Sequence, residues 1–361
     1  MNTRRQIVGT GLIGLDVIIS QKGEVLSSSL GGSAGNVLTI LASLGWGAFP
    51  ISYLGRDCVG DSLIDEFKAL NCDIQYLVQS VNHHTPVIYQ HQLGALHGPT
   101  HRFSFSCPIC GTKHKPNFSD DIELLNFIPG LPTSDVLFLD RSTSLAATLA
   151  EHYFAKGSLV VFEPSSIGDD YQLFQHILNN CHVLKYSDDR LSDLREFDLS
   201  SVNVEIQTMG EKGLKFRGAS LTQDWFNLGA YDLPKIADTS GAGDWCTAGL
   251  IYSIYSRRDN FKDTLRSYNK VAYALAFGQV LSTLNCLTVG ARGLSSKLSA
   301  TKCTNAAASF SRKRFVNEIT PTLSNSNKAL GGIYEYFFNE SPKHHHRAIN
   351  TQSLDTLACC S

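Results

Sequence analysis

The segment Asp238-Thr239-Ser240-Gly241-Ala242-Gly243-Asp244 constrains this chain more than any other stretch. Two glycines flank one alanine, so no bulky side chain blocks the backbone there. Behind it, Trp245, Ala248, Ile251 and Tyr255 recur at helical spacing. They predict a helix that opens at the glycines. A helix opening with small residues presents several unpaired N–H groups and the positive end of its dipole. Such a turn is an anion site, and phosphate is the usual anion. Binding alone does not explain a carboxylate on the first turn, facing that anion. Asp244 is placed to take a proton from a hydroxyl that attacks phosphorus. Gly241, Ala242, Gly243 and Asp244 are therefore the candidate catalytic residues.

The 361 residues can bury a substantial core as one large domain or two. A net charge of -2 argues against a nucleic-acid partner, which calls for a basic surface. No apolar run reaches membrane-spanning length, which argues against a membrane partner. Arg4 and Arg5 precede an apolar stretch, but Gly9, Gly11, Gly14 and Asp16 break it. It reads as a first strand rather than a signal peptide. The ten cysteines lie scattered, without a compact disulfide framework. A reduced, cytoplasmic setting is expected.

Strand-like runs occupy residues 6–8 with 15–19, then 136–139, 159–162 and 202–208. Helical patterns at 37–44, 63–70 and 145–155 intervene. That alternation predicts an α/β fold, a mainly parallel sheet covered on both faces. A β-rich insertion spans about 84–118. After about residue 295 the composition shifts to Ser, Thr, Asn and Lys, with a His344-His345-His346 run. This extension, 296–361, reads as an appendage, a partly disordered end or an interaction segment. The stretch Gly9-Thr10-Gly11-Leu12-Ile13-Gly14 fits GxGxxG, the dinucleotide fingerprint. That fingerprint needs a helix directly after it, whereas Leu15-Asp16-Val17-Ile18-Ile19 is strand-like.

The string DTSGAGD resembles the C-terminal signature of the ribokinase family, the phosphofructokinase-B type carbohydrate kinases. A second stretch is similar to that family's N-terminal signature. It runs from Gly31-Gly32-Ser33-Ala34-Gly35-Asn36 through an apolar helix to Leu54-Gly55-Arg56-Asp57-Cys58-Val59-Gly60-Asp61. The resemblance covers about residues 5 to 295. It implies a ribokinase-like three-layer α/β/α domain over 1–295, with a small β lid from about 14–30 and 84–118. It implies ATP-dependent phosphorylation of a hydroxyl on a small sugar or nucleoside, with magnesium, and a homodimer formed through the lid. Asp16, Gly31, Gly32 and Asn36 match the family's substrate-binding positions, and Arg102 falls within its lid. Asp57 and Asp61 read as turn and helix-cap residues.

On the nucleotide side, Thr208-Met209-Gly210-Glu211-Lys212-Gly213 resembles the family segment TxGxxG, which implies that Thr208, Gly210 and Gly213 hold ATP phosphates. Lys185-Tyr186-Ser187-Asp188-Asp189-Arg190 resembles the family's NxxE stretch, which helps place magnesium. Ser187 stands at the Asn position, and Lys185 belongs to the same nucleotide-binding stretch. Arg190 stands at the Glu position and cannot hold a cation. Asp188, Asp189 or Glu163 is then expected to serve the metal. By resemblance, Asp238 and the 290–293 segment shape a monovalent-cation site for potassium. Within the insertion, Cys107-Pro108-Ile109-Cys110-Gly111 looks like half of a zinc ribbon. Two thiolates are half of a structural zinc shell, and His101 and His114 lie nearby.

The reading is a carbohydrate or nucleoside kinase. The rival readings are a catalytically silent relative that binds nucleotide or sugar, for which Arg190 speaks, and a zinc-containing assembly protein, for which Cys107 and Cys110 speak.

Overall fold

Val136-Leu137-Phe138-Leu139 and Leu159-Val160-Val161-Phe162 are apolar at every position, and every one of these side chains is buried. A strand of that kind is covered on both faces. The two are β8 (Val136–Leu139) and β9 (Leu159–Phe162), inside a nine-stranded sheet. Its other members are β1 (Gln6–Thr10), β4 (Gly47–Gly55), β5 (Leu77–Ser80), β10 (Val183–Ser187), β11 (Val204–Thr208), β12 (Leu214–Gly218) and β13 (Thr222–Leu228). The order is β13-β12-β11-β10-β9-β8-β1-β4-β5. All pairings from β11 to β5 are parallel, and β12 and β13 close one edge as an antiparallel hairpin. The computed structural model describes residues 4–93, 101–118, 121–319 apart from 192, 219 and 258, and 332–340.

Successive strand residues point to opposite faces, and the two faces feed two cores. Ile7, Phe138, Val161, Val183 and Ile206 join one core. It is covered by α1 (Ser33–Ser43), α2 (Cys58–Ala69), α5 (Ala242–Ser256) and α7 (Tyr268–Asn285). Val8, Leu137, Val160, Phe162 and Leu184 join the other, under α3 (Ser144–Ala155) and α4 (Tyr171–Asn179). The result is the expected α/β/α three-layer arrangement. Asp57 caps α2, accepting from the Gly60 N–H at 2.7 Å.

A second, four-stranded sheet forms the lid, in the order β3-β2-β6-β7. Its strands are β2 (Gly14–Ile19), β3 (Val25–Gly31), β6 (Val87–Gln92) and β7 (His101–Ser104). The GxGxxG stretch thus links β1 to a strand, with no helix after it. Residues 15–19, grouped above with the first strand, leave the large sheet and pair with β3 and β6.

The core continues past residue 295. After α6 (Phe261–Leu265) and α8 (Gly293–Lys297) come α9 (Ala300–Ile319) and α10 (Gly332–Glu340). Cys303, Ala306, Ala307, Phe310, Ile333 and Phe337 pack into the same core as α7. The Arg314 guanidinium donates to Gln279 Oε1 at 3.0 Å. The compositional shift there reflects a polar outer face, not the end of the packed body. The histidine run at 344–346 lies outside the described residues. Among the described residues, no helix is long and apolar enough to cross a membrane.

Candidate active site

The helix predicted from the glycine turn is α5, and Gly241 precedes it with φ 71°. A Cβ at Gly241 would meet the Ala291 carbonyl oxygen at 2.2 Å. Only glycine accepts both the left-handed backbone and this approach. The fully buried Trp245 donates its indole N–H to the same Ala291 oxygen at 3.0 Å. The turn is thereby fastened to the loop that follows α7. Asp244 lies on the first helical turn, where its carboxylate accepts from the Asn36 side-chain amide at 2.8 Å. Asn36 comes from α1 and is buried.

Asp16 stands on lid strand β2. Its carboxylate fills the space over Gly31, where a Cβ would come within 2.0 Å of it. These groups open into a cleft of ≈ 650 Å³ that takes in Asp16, Gly32, Asn36 and the turn from Gly241 to Asp244. The same cleft takes in Lys185, Ser187, Thr208, Gly210 and Gly213 at the carboxyl ends of β10 and β11. Ligands of open α/β sheets gather at these strand ends.

Beneath the turn lies a buried polar group set. The Lys185 ammonium pairs with the Glu163 carboxylate, whose other oxygen accepts from Thr247 Oγ1 at 2.5 Å. Lys185 Nζ also reaches the Gly243 carbonyl at 3.4 Å. Burial pulls this ammonium down most strongly, but Glu163, Cys246 and Asp244 together outweigh it and hold the group above its ordinary range. Lys185 therefore stays charged next to the turn. Burial pushes the Asp244 carboxyl up to about 7; the Glu163 charge adds to this, and the Asn36 bond and Lys185 oppose it. Burial likewise pushes Asp16 up to about 7, against the Arg292 charge and a backbone N–H of Gly32. A carboxyl group tuned to that range suits proton transfer near neutrality.

Several expectations change. Arg102 is exposed on β7 and does not line the cleft, whereas Phe103 and Phe105 do. Arg102 pairs with His91, and Phe103 with the cleft residue Gln90. Neighbours on a strand face opposite ways, so only one of the two can face the cleft. Asp188 is exposed and off the cleft, while Asp189 and Arg190 line it. Glu163 lines the cleft but is committed to Lys185 and Thr247. The Asp238 carboxylate accepts from Ser240 N–H at 3.0 Å, Ser240 Oγ at 2.7 Å, Gly290 N–H at 3.0 Å and the Gln90 amide at 3.3 Å. Four donors from three residues thus engage that carboxylate. Cys107 is buried and Cys110 exposed, in a turn closed by Gly111 N–H on the Cys107 carbonyl at 3.0 Å. Among the described residues, no three His, Cys, Asp or Glu side chains gather as a metal site requires.

The sequence reading missed Asp140 and Arg141. The fully buried Asp140 accepts from Leu12 N–H at 2.8 Å and Ala34 N–H at 3.1 Å, and so holds the start of α1. Arg141 pairs with it at 3.5 Å and lines the cleft. The available signal was an acid and a base directly after the apolar run of β8.

No family model matches the chain. A curated relative, an uncharacterized sugar kinase from Dictyostelium discoideum, is 35% identical over 66 residues. That match spans 18% of this chain and 16% of the relative. Solved structures match over most of their length. A fructokinase with bound ATP from Xylella fastidiosa superposes with TM-score 0.64 at 16% identity, covering 85% of this chain and 98% of that one. A nucleoside kinase from Burkholderia thailandensis, in complex with inosine, gives 0.63 at 16% identity, covering 86% and 98%. A ribokinase from Thermotoga maritima gives 0.61 at 15% identity, covering 84% and 99%.

The chain has the ribokinase-like fold. Within that fold, the glycine turn, Asp244 and Asn36 meet where the lid sheet faces the strand ends of the large sheet.

Proposed function

We propose that the protein is an ATP-dependent kinase of a small sugar or nucleoside, transferring a phosphoryl group to a hydroxyl. The observation that carries this reading is the Asp244 carboxylate, held by Asn36 at 2.8 Å on the first turn of a helix that opens with Gly241, Ala242 and Gly243. Asp16 and Asn36 hold hydroxyls of the acceptor. Asp244 accepts the proton of the attacking hydroxyl as its bond to the terminal phosphorus of ATP forms and the bond from that phosphorus to the bridging oxygen breaks, releasing ADP. The N–H groups at the start of α5 receive the charge of the transferring phosphoryl. Lys185, kept charged by Glu163, adds a positive potential directly under that turn. Thr208, Gly210 and Gly213 flank the nucleotide phosphates, and Ser187 offers a hydroxyl beside them. Phe103 and Phe105 of the lid side exclude water, which suppresses loss of the phosphoryl group to hydrolysis. Magnesium on the ATP phosphates would neutralise their charge.

The test is an ATP-consumption screen over ribose, fructose, other sugars and nucleosides, with Asp244→Asn as control. Acceptor-dependent ADP release that vanishes in the variant supports the kinase reading. ATP binding without turnover of any acceptor would support the silent relative, for which Arg190 in the cleft wall is the favouring observation.

A further inference from the structure

Strand β3 is an edge of the lid sheet, so among the described residues one side of its backbone has no strand to pair with. Leu30 lies at its end, directly before Gly31 and Gly32, and is buried. Two side chains from elsewhere satisfy its backbone. The Leu30 N–H donates to Glu66 Oε2 at 2.6 Å, and Arg292 Nη2 donates to the Leu30 carbonyl at 2.6 Å. The same Arg292 nitrogen meets Glu66 Oε1 at 2.5 Å. The ion pair thus closes a ring around one residue's backbone, in the manner of a neighbouring strand. Both partners are shielded, with side-chain exposures of 12% for Arg292 and 30% for Glu66.

The three parts of this ring come from three elements. Glu66 belongs to α2 and Leu30 to β3. Arg292 follows Ala291, the residue whose carbonyl receives Trp245 and closes over Gly241. Across the β2–β3 ladder, Leu15 pairs with Leu30 and Asp16 with Ser29. The ring therefore touches the strand pair that carries Asp16 on one side and the support of the glycine turn on the other.

We propose that Arg292 and Glu66 are positioning residues for the acceptor site. By clamping Leu30 they fix the lid strand bearing Asp16 to the loop that backs the Gly241 turn, so that Asp16 and Asp244 keep one spacing. The term acceptor rests on the kinase reading; the clamp itself does not.

Hydrogen exchange on the full chain tests it without any acceptor, for the wild type, Arg292→Met, Glu66→Gln and the double variant. A glutamine has one acceptor oxygen where the carboxylate uses two, so Glu66→Gln breaks one bond while preserving shape. Each single change is expected to speed exchange at Leu30 roughly tenfold, as for one lost hydrogen bond to a charged group. The double variant is expected to add little to either single one, because both act in one ring. Amides of 14–16 and 241–245 are expected to speed up in parallel, while those of β1 and β8 stay unchanged. Acceleration at Leu30 with no change at 241–245 would overturn the coupling. Equal acceleration in β1 and β8 would reduce the pair to general stability. If Arg292→Met does not fold, Glu66→Gln decides by the same comparison. A failed turnover screen leaves this result standing, and a failed clamp leaves the role of Asp244 standing.

Discussion

Asn36 Nδ2 lies 2.8 Å from Asp244 Oδ2, although 208 positions separate the two residues. The amide donates to the charged carboxylate, which opposes the upward push of burial and holds the side chain at the mouth of the glycine turn. Asp244→Asn keeps the size of the side chain and removes its basicity. Turnover of the acceptor found by the screen is expected to fall roughly 10²- to 10⁴-fold. ATP affinity, measured by calorimetry, is expected to stay near the wild-type value. A variant that turns over at the wild-type rate would show that Asp244 is not the base.

The pH dependence has a definite sign. Asp244 and Asp16 are both pushed up to about 7, mainly by burial. Below that value Asp244 carries its proton and cannot take another, so kcat/KM is expected to rise as pH passes through about 7. Stability runs the other way. A carboxyl group whose folded value lies above the unfolded 3.8 favours folding below about 4, and this advantage is lost as pH climbs to about 7. Asp244→Asn is therefore expected to melt above the wild type at pH 8 and level with it at pH 4. Melting curves at the two pH values check this.

Lys185 and Glu163 act on Asp244 in opposite directions. Lys185→Met removes the charge that lowers the Asp244 carboxyl, so the acid limb of the rate profile is expected to move to higher pH. Glu163→Gln removes a charge that raises it, and the limb is expected to move to lower pH. Breaking the buried pair in Lys185→Met also costs about 3–5 kcal/mol of stability, to be read from a denaturant midpoint. Shifts of the same sign in both variants would exclude this electrostatic account.

Gly241 and Gly243 are separable by alanine. At Gly241 the φ of 71° and the Ala291 oxygen 2.2 Å from a new Cβ leave no room. Gly241→Ala is expected to cost about 1–3 kcal/mol or more and to abolish turnover. At Gly243 a Cβ meets only Glu163 Oε1 at 3.7 Å and Lys185 Nζ at 3.8 Å, ordinary contacts. Gly243→Ala is expected to keep the wild-type melting temperature, read from a thermal denaturation curve. A Gly241→Ala protein that melts like the wild type would remove the steric argument.

Much of the chain is legible from short-range pattern. Apolar runs such as Val136–Leu139 and Leu159–Phe162 identify buried strands, because every position needs a covering layer. The glycine turn followed by helically spaced Trp245, Ala248 and Ile251 identifies the helix start at Gly241, since backbone freedom and period are local properties. Asp57 reads as a cap for the same reason. The extension after residue 295 was less legible. Its polar composition describes the outer face of α9, while Ala306, Ala307 and Phe310 supply the inner one.

Local pattern suffices for the fully apolar strands β8 and β9, for the opening of α5 and for the carboxylate on its first turn, whereas β4, β5, β10, β12 and β13 carry no signal strong enough to be read that way. Which distant groups meet depends on the folded arrangement. Asn36 reaches Asp244, Lys185 neutralises Glu163, and Asp140 holds the start of α1 through contacts that span 208, 22 and 106 positions. It also decided that Phe103 rather than Arg102 faces the cleft, and that Gln90 joins the donors on Asp238. The reason is physical. Periodicity and turn chemistry act over a few residues. Side-chain partners across a sheet depend on strand order, on register and on the face each residue presents, and a one-residue change of register reverses that face.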